Sequence, residues 1–152
     1  MTSLLTSVII VNYNCGPLLT ECVRSVLSST VPVEVFVSDN GSTDGSIELL
    51  NGKIKDDRLH VELNGRNLGF AKGTNMVLSL TTGEYILFLN PDCVVQPDII
   101  EVMTNKMKHI KSFSWTYTAV VFSMSSFSKT VMTNLSIQCL IISGTDRMTS
   151  WF

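Results

Sequence analysis

Short apolar runs, polar turns and helical patterns follow one another four times along this chain. Leu4 to Val11 is apolar and β-branched, interrupted only by Thr6 and Ser7, and predicts a buried strand. Gly16-Pro17 opens a helix, because proline costs nothing where its N–H has no partner. Leu18, Leu19, Cys22, Val23, Val26 and Leu27 recur at helical spacing on one face, and Ser28 to Thr30 close the element. Val33 to Val37 predicts a second strand with Glu34 as its one charge, then the polar turn Ser38 to Gly45. A helix over roughly Asp44 to Asn51 comes next, with Ser42 or Thr43 as its cap. Arg58 to Leu63 reads as a third strand and Gly69 to Leu80 as a helix. Gly73 inside that helix costs about 1 kcal/mol against alanine, so it predicts a close approach to the backbone. Tyr85 to Leu89 is apolar without alternation, as in a strand buried on both faces of a parallel sheet. Pro97 opens the last helix, with Ile99, Ile100, Met103, Met107 and Ile110 as its stripe. Four strand–helix repeats predict an α/β domain built on a mostly parallel sheet flanked by helices.

The pattern stops near Lys111. From there to Phe152 more than a third of the residues are Ser or Thr, and Lys129, Asp146 and Arg147 are the only charges after Lys111. Tyr117 to Met124 and Leu135 to Ile142 have strand-like composition but no clean alternation, and no turn chemistry places a hairpin between them. We therefore divide the chain into residues 1–110 and an atypical tail, 111–152. Two readings of the tail stay open. One is sequence foreign to the domain, such as the read-through of a frameshift or a truncated gene; the other is a native, poorly patterned subdomain.

Composition narrows the function. A net charge of -2 offers no basic surface for nucleic acid or an anionic membrane. Cys15, Cys22, Cys93 and Cys139 are widely spaced with no CxxC pair, and no signal peptide is evident, which suits reduced thiols in a cytoplasmic protein. His60 and His109 are isolated, which argues against a histidine metal site. No apolar run reaches the roughly 18 residues of a transmembrane segment.

Each predicted strand ends in polar residues: Asn12-Tyr13-Asn14, Ser38 to Asp44, Arg66-Asn67-Leu68-Gly69 and Asn90-Pro91-Asp92. In a parallel sheet these ends share one edge, where open α/β sheets bind ligands. An early acid, a central arginine and a late acid suit a ligand with a heterocyclic base, a diphosphate and a metal ion. Asp39 can accept from a base N–H. Arg66 can grip phosphate oxygens in a bidentate fork. Asp92 supplies a hard oxygen for Mg²⁺ or Mn²⁺.

Residues 7 to about 100 resemble the nucleotide-binding half of family 2 glycosyltransferases, with the GT-A fold. The resemblance rests on four motifs in order: Ser7-Val-Ile-Ile-Val-Asn-Tyr-Asn14, Val37-Ser-Asp-Asn-Gly-Ser-Thr-Asp44, Asn67-Leu-Gly-Phe-Ala-Lys-Gly-Thr-Asn75 and Phe88-Leu-Asn-Pro-Asp-Cys93. The Asn-Pro-Asp form is similar to the rhamnosyltransferase-like branch, which builds bacterial surface polysaccharides. The resemblance implies transfer of a sugar from a UDP-, dTDP- or GDP-linked donor to a saccharide or lipid-linked acceptor, metal-assisted and inverting. It also implies a cytoplasmic protein, with attachment to the inner membrane face as an alternative. Asn12 and Tyr13 would lie against the nucleobase and Asp39 would pair with it, while Asn40 and Ser42 hold the turn. Arg66, Asn67, Gly69 and Asn75 would line the nucleotide-sugar pocket. Asp92 would be the metal-binding acid, with Asn90 standing where the family's motif has its first acid. The family's general base lies in an acceptor-binding half, and the motif around Asp146, the tail's only acid, does not match it. The expected fold is thus GT-A, incomplete at the C-terminus. The alternative function is a catalytically inactive nucleotide-sugar-binding remnant. A nucleotidyltransferase would need a glycine-rich basic loop after the first strand, and Asn12-Tyr13-Asn14-Cys15 is not one.

Overall fold

The computed structural model describes residues 5–110, 120–123 and 138–143. Strands β1 (Thr6–Asn12), β2 (Val33–Asp39), β3 (Leu59–Leu63) and β4 (Tyr85–Leu89) alternate with helices α1 (Pro17–Leu27), α2 (Ser46–Lys53), α3 (Gly69–Leu78) and α4 (Ile99–Ile110). β1 pairs in parallel with β2 and with β4, and β2 pairs in parallel with β3. Two strands of the tail join the same sheet: β6 (Gln138–Ser143) runs antiparallel to β4, and β5 (Val120–Ser123) runs antiparallel to β6. The spatial order is β3-β2-β1-β4-β6-β5. The chain leaves β1 towards β2 and later returns to its other side as β4, so the switch of direction falls between β1 and β4. Ligands of open α/β sheets bind at the carboxyl end of such a switch.

The sheet has two unlike faces. One carries the main core: Val8 and Ile10 of β1, Val35 and Val37 of β2, and Leu87 and Leu89 of β4. Leu19, Cys22, Val23 and Val26 of α1, Leu50 of α2 and Ile100, Met103 and Met107 of α4 pack onto it. The other face is thinner, with Ile9, Phe36 and Phe88 packed under Val77 of α3. Both faces of β1 and β4 are covered, which is why their sequences run apolar without alternation. Removing one fully buried side chain, for example Leu87→Ala, costs about 2–5 kcal/mol.

The two hydroxyls that interrupt β1 have different fates. Ser7 donates to Glu34 Oε1 at 2.6 Å, and the same carboxylate accepts from Thr82 N (2.7 Å), Thr82 Oγ1 (3.0 Å) and Gly83 N (3.3 Å). Burial pushes the Glu34 carboxyl up, and these hydrogen bonds outweigh it, so its pKa lies below the usual value. A side chain at Gly83 would meet Ser7 N at 2.6 Å, so only glycine lets β4 enter the sheet here. This staple ties the amino edge of the sheet, opposite the site. Thr6 Oγ1, by contrast, is buried with no partner among the described residues.

The start of α2 differs from the expectation of a Ser42 or Thr43 cap. Gly45 is the N-cap, in left-handed conformation at φ 78°, and Asp44 Oδ1 accepts from Ser46 N at 3.0 Å. Ser42 is drawn off by stronger partners in the strand-end loops.

Candidate active site

Three strand-end loops are tied together by side chains at the carboxyl edge. Asn12 Nδ2 donates to Asp39 Oδ1 (2.8 Å), Ser42 Oγ (3.0 Å) and Ser46 Oγ (2.9 Å). Asn14 N donates to Ser42 Oγ (2.9 Å), Thr43 N to Asn14 Oδ1 (2.8 Å) and Gly16 N to Asp44 Oδ2 (2.7 Å). Asn14 itself takes a left-handed φ of 52°, which asparagine tolerates better than most residues. These bonds weld the loop after β1 to the loop after β2.

Asp39 closes the second loop on itself. Its Oδ2 accepts from Gly41 N (3.1 Å) and Ser42 N (3.0 Å), and its Oδ1 from Ser42 Oγ (2.6 Å) as well as Asn12. The residue is 3% exposed, and its four acceptor positions are filled.

The loop after β3 joins through asparagine amides. Asn64 Nδ2 donates to Ser38 Oγ (2.8 Å) and Asn40 Oδ1 (2.9 Å). Asn40 Nδ2 donates to Gly69 O (3.1 Å) and, at the long limit of 3.4 Å, to Asn67 Oδ1. Asn67 Oδ1 also accepts from Gly69 N at 2.8 Å, closing the turn into α3. Gly73 faces this knot: a Cβ there would lie 3.0 Å from Val11 Cγ1 and 3.1 Å from Asn40 Oδ1. The close approach inferred from that helical glycine is therefore to the strand-end amide.

Asn90 and Asp92 stand across the switch, after β4. Asn90 O accepts from Cys93 N at 3.2 Å and from Cys22 Sγ at 3.4 Å, which holds this turn to α1. Cys15 shows how near the turns are. Burial pushes its thiol pKa up, the contact with the Tyr13 carbonyl works against this, and the charges of Asp92 and Asp44 add smaller upward pushes. Asp92 is exposed, as are Tyr13, Arg66, Asn67, Gly69 and Asn75, while Asn12 and Asn40 are buried and Ser42 and Asn90 half-buried. Arg66 and Asn75 make no side-chain hydrogen bond or ion pair among the described residues.

The structure thus sorts the strand-end residues into two kinds. Asn12, Asp39 and Ser42 are committed to one another and the Asn40 amide to Asn64 and Gly69, whereas Tyr13, Arg66, Asn75 and Asp92 are exposed. Ser46 and Asn64 belong to the frame but were not among the residues picked out from sequence. Asn64 carried a usable signal, since it ends a strand as Asn12 does. Ser46 carried none, being a serine at the start of a helix.

The model of the family described as Glycosyl transferase family 2 matches residues 7–141. The chain belongs to glycosyl transferase family 2. Among its relatives, the "Glycosyltransferase GlyG" of Streptococcus pneumoniae is 34% identical over 106 residues, which cover 68% of this chain and 35% of that protein. A chondroitin synthase of Pasteurella multocida is 33% identical over 116 residues, 75% of this chain and 12% of the relative. The family 2 chain thus spans about a third of the first relative's length and about an eighth of the second's. Among solved structures, S. aureus TarS in complex with UDP-GlcNAc matches with a TM-score of 0.62 and 26% identity, over 68% of this chain and 31% of that one. The Pyrobaculum calidifontis mannosyltransferase PcManGT, solved with GDP-Man and Mn²⁺, matches with a TM-score of 0.63 over 80% of this chain and 36% of that one; at 24% identity the likeness is one of fold. The GT-A architecture expected from the motifs is therefore the fold observed. No helix among the described residues is long and apolar enough to cross a membrane.

Proposed function

We propose that this chain binds a nucleoside-diphosphate sugar and, as a family 2 glycosyltransferase, serves transfer of the sugar to a hydroxyl acceptor in cell-surface polysaccharide synthesis. The observation that carries the reading is that Tyr13, Arg66 and Asp92 are all exposed on turns that leave the carboxyl ends of parallel strands, beside a frame of bonded strand-end residues. In this assignment Tyr13 lies against the base, Arg66 meets phosphate oxygens, and Asn67, Gly69 and Asn75 line the sugar side. Asn12, Asn40 and Ser42 keep the base-side loop in shape. Asp39 pairs with a base N–H only in exchange for one bond it now holds. The Ser42 hydroxyl, which is able to rotate, is the partner best suited to yield.

The residues fit a hard divalent cation of the Mg²⁺ or Mn²⁺ kind, provided the ligand shares in holding it. Among the described residues no three His, Cys, Asp or Glu side chains cluster as a metal site. One exposed carboxylate, Asp92, with the weaker Asn90 amide beside it, leaves most positions to phosphate oxygens and water, as Mg²⁺ commonly accepts. When bound, such a cation supplies Lewis-acid charge for the diphosphate leaving group. The proposed transfer is an inverting displacement: the acceptor oxygen bonds to the anomeric carbon as the bond from that carbon to the diphosphate oxygen breaks, and the hydroxyl proton passes to a general base that, by the family resemblance, belongs to the acceptor-binding half. The Asn90-Pro91-Asp92 form supports a rhamnosyltransferase-like donor preference.

Calorimetric titration of the chain with UDP, dTDP and GDP, with and without Mn²⁺, tests the proposal. We expect metal-dependent binding of one nucleotide, lost in Asp39→Ala and Asp92→Ala. A folded chain that binds none of them refutes it. Nucleotide binding without transfer to any saccharide or lipid-linked acceptor would favour the narrower reading of a binding chain alone.

A further inference from the structure

Arg66 is exposed and its side chain has no partner among the described residues, so its direction comes from the backbone beneath it. That backbone is unusually well fixed. Gly41 presses against it, since a Cβ at Gly41 would lie 2.9 Å from Arg66 Cα and 3.0 Å from Arg66 N. Asn64, two residues before, donates its backbone N–H to Asp39 O at 2.9 Å and its side-chain amide to Ser38 Oγ and Asn40 Oδ1 at 2.8 and 2.9 Å. Asn67, one residue after, closes the turn onto Gly69 N at 2.8 Å, and Asn40 Nδ2 reaches Gly69 O at 3.1 Å. The Asn40 amide therefore bridges the two sides of the Arg66 loop, and Asn64 holds that amide in register. Left-handed Gly65 and Gly69, at φ 69° and 77°, bracket the segment and would let it turn freely without these ties.

We propose that Asn64 is a positioning residue: through Asn40 it fixes the pedestal from which Arg66 reaches the diphosphate of the bound nucleotide. The inference rests on the reading that Arg66 meets phosphate. A fixed pedestal spares the arginine part of the ordering cost of gripping its ligand, so loosening it weakens binding without removing a contact. Asn64 touches no ligand in this scheme. Its effect must disappear when Arg66 is removed, whereas a residue that only stabilises the fold, or that touches the base, would act independently of Arg66.

The test is a double-mutant cycle read by calorimetric titration of UDP with Mn²⁺, with thermal unfolding of each variant alongside. Asn64→Ala is expected to weaken UDP binding by about fivefold to tenfold, and Arg66→Ala by about tenfold or more. The double variant should be no more than about twofold weaker than Arg66→Ala alone. Losses that multiply overturn the positioning role and leave the phosphate role of Arg66 standing. An Arg66→Ala chain that binds UDP as well as the parent overturns both. Should Asn64→Ala fail to fold, Ser38→Ala removes one of the two acceptors of the Asn64 amide, and the same coupling to Arg66 is expected of it at smaller size.

Discussion

Two helical glycines should respond to the same substitution with opposite sign. Gly52 lies in α2 with nothing within 4 Å of an added Cβ and no left-handed φ. Gly52→Ala should therefore return only the helix-propensity gain, about 0.5–1 kcal/mol of added stability. Gly73 in α3 has the same gain available but a different neighbourhood. Its Cβ would stand 3.0 Å from Val11 Cγ1 and 3.1 and 3.3 Å from the two amide atoms of Asn40, so something must yield by a few tenths of an ångström. Asn40 is poorly placed to yield. It is 2% exposed, and its amide is held by Asn64 at 2.9 Å and by Gly69 O at 3.1 Å. Turning it away strands a buried amide, at about 1–3 kcal/mol, and lifting α3 off the sheet opens the thin core under Val77 at a similar cost. Either cost exceeds the propensity gain, and Gly73→Ala should come out destabilised by about 1–2 kcal/mol. Urea unfolding followed by circular dichroism reads both variants, and their midpoints should move in opposite directions. Nucleotide affinity should fall with Gly73→Ala and stay level with Gly52→Ala. A Gly73→Ala chain as stable as Gly52→Ala would show that the amide knot gives way easily, and would undo the argument that it is a rigid frame.

Other outcomes follow from the same geometry. With Asp92 as the proposed carboxylate ligand of the cation, Mn²⁺ and nucleotide should each bind tighter in the presence of the other, and Asp92→Ala should abolish that coupling; Asn90→Asp should strengthen it, about tenfold or less, by calorimetry. The Glu34 pKa lies below its ordinary 4.5, so its staple contributes stability fully above that value and loses it as pH falls through the folded-state pKa. Glu34→Gln should accordingly flatten the decline of the urea midpoint below about pH 4.5, and an unchanged acid limb would count against the staple. Cys15 should react slowly with iodoacetamide at pH 8, since burial outweighs the opposing Tyr13 contact in holding back its ionisation, and Asp92→Asn should quicken it a little by removing one of the two smaller contributions, from the Asp92 and Asp44 charges. Equal rates in the two proteins would mean that the Asp92 charge does not act on the Cys15 thiol.

Most of the fold could be read from the residues, and the reasons are local. The apolar runs of β1 and β4 lack alternation because both faces of those strands are covered, and the helical stripes of α1 and α4 mark the faces that cover them. Boundaries shifted where polar residues continued a strand: Ser38 and Asp39 extend β2 because pairing with β1 places Asn12 opposite Asp39. The cap of α2 was misplaced because Ser42 had better partners in Asp39 and Asn14 than in its own helix. The tail gave no clue to where its strands sit. The register that sets Tyr85 opposite Ser143 joins residues far apart in the chain, and no turn signal announces it.

By itself the sequence determined the alternation of strand and helix, the parallel core of the sheet and the collection of polar residues at one edge. Each of these follows from periodicity and from the fact that parallel strands all end on the same side. Which of those polar residues face a ligand was decided only by tertiary structure. Asn12 and Asp39 looked as available as Tyr13 and Asp92 until the loops closed and the side-chain N–H donors of Asn12 and the acceptors of Asp39 were taken up, with Ser42 and Ser46 as partners. A hydrogen-bonding group has few valences, and whether they are spent within the protein depends on partners 27 to 34 residues away, which no local pattern records.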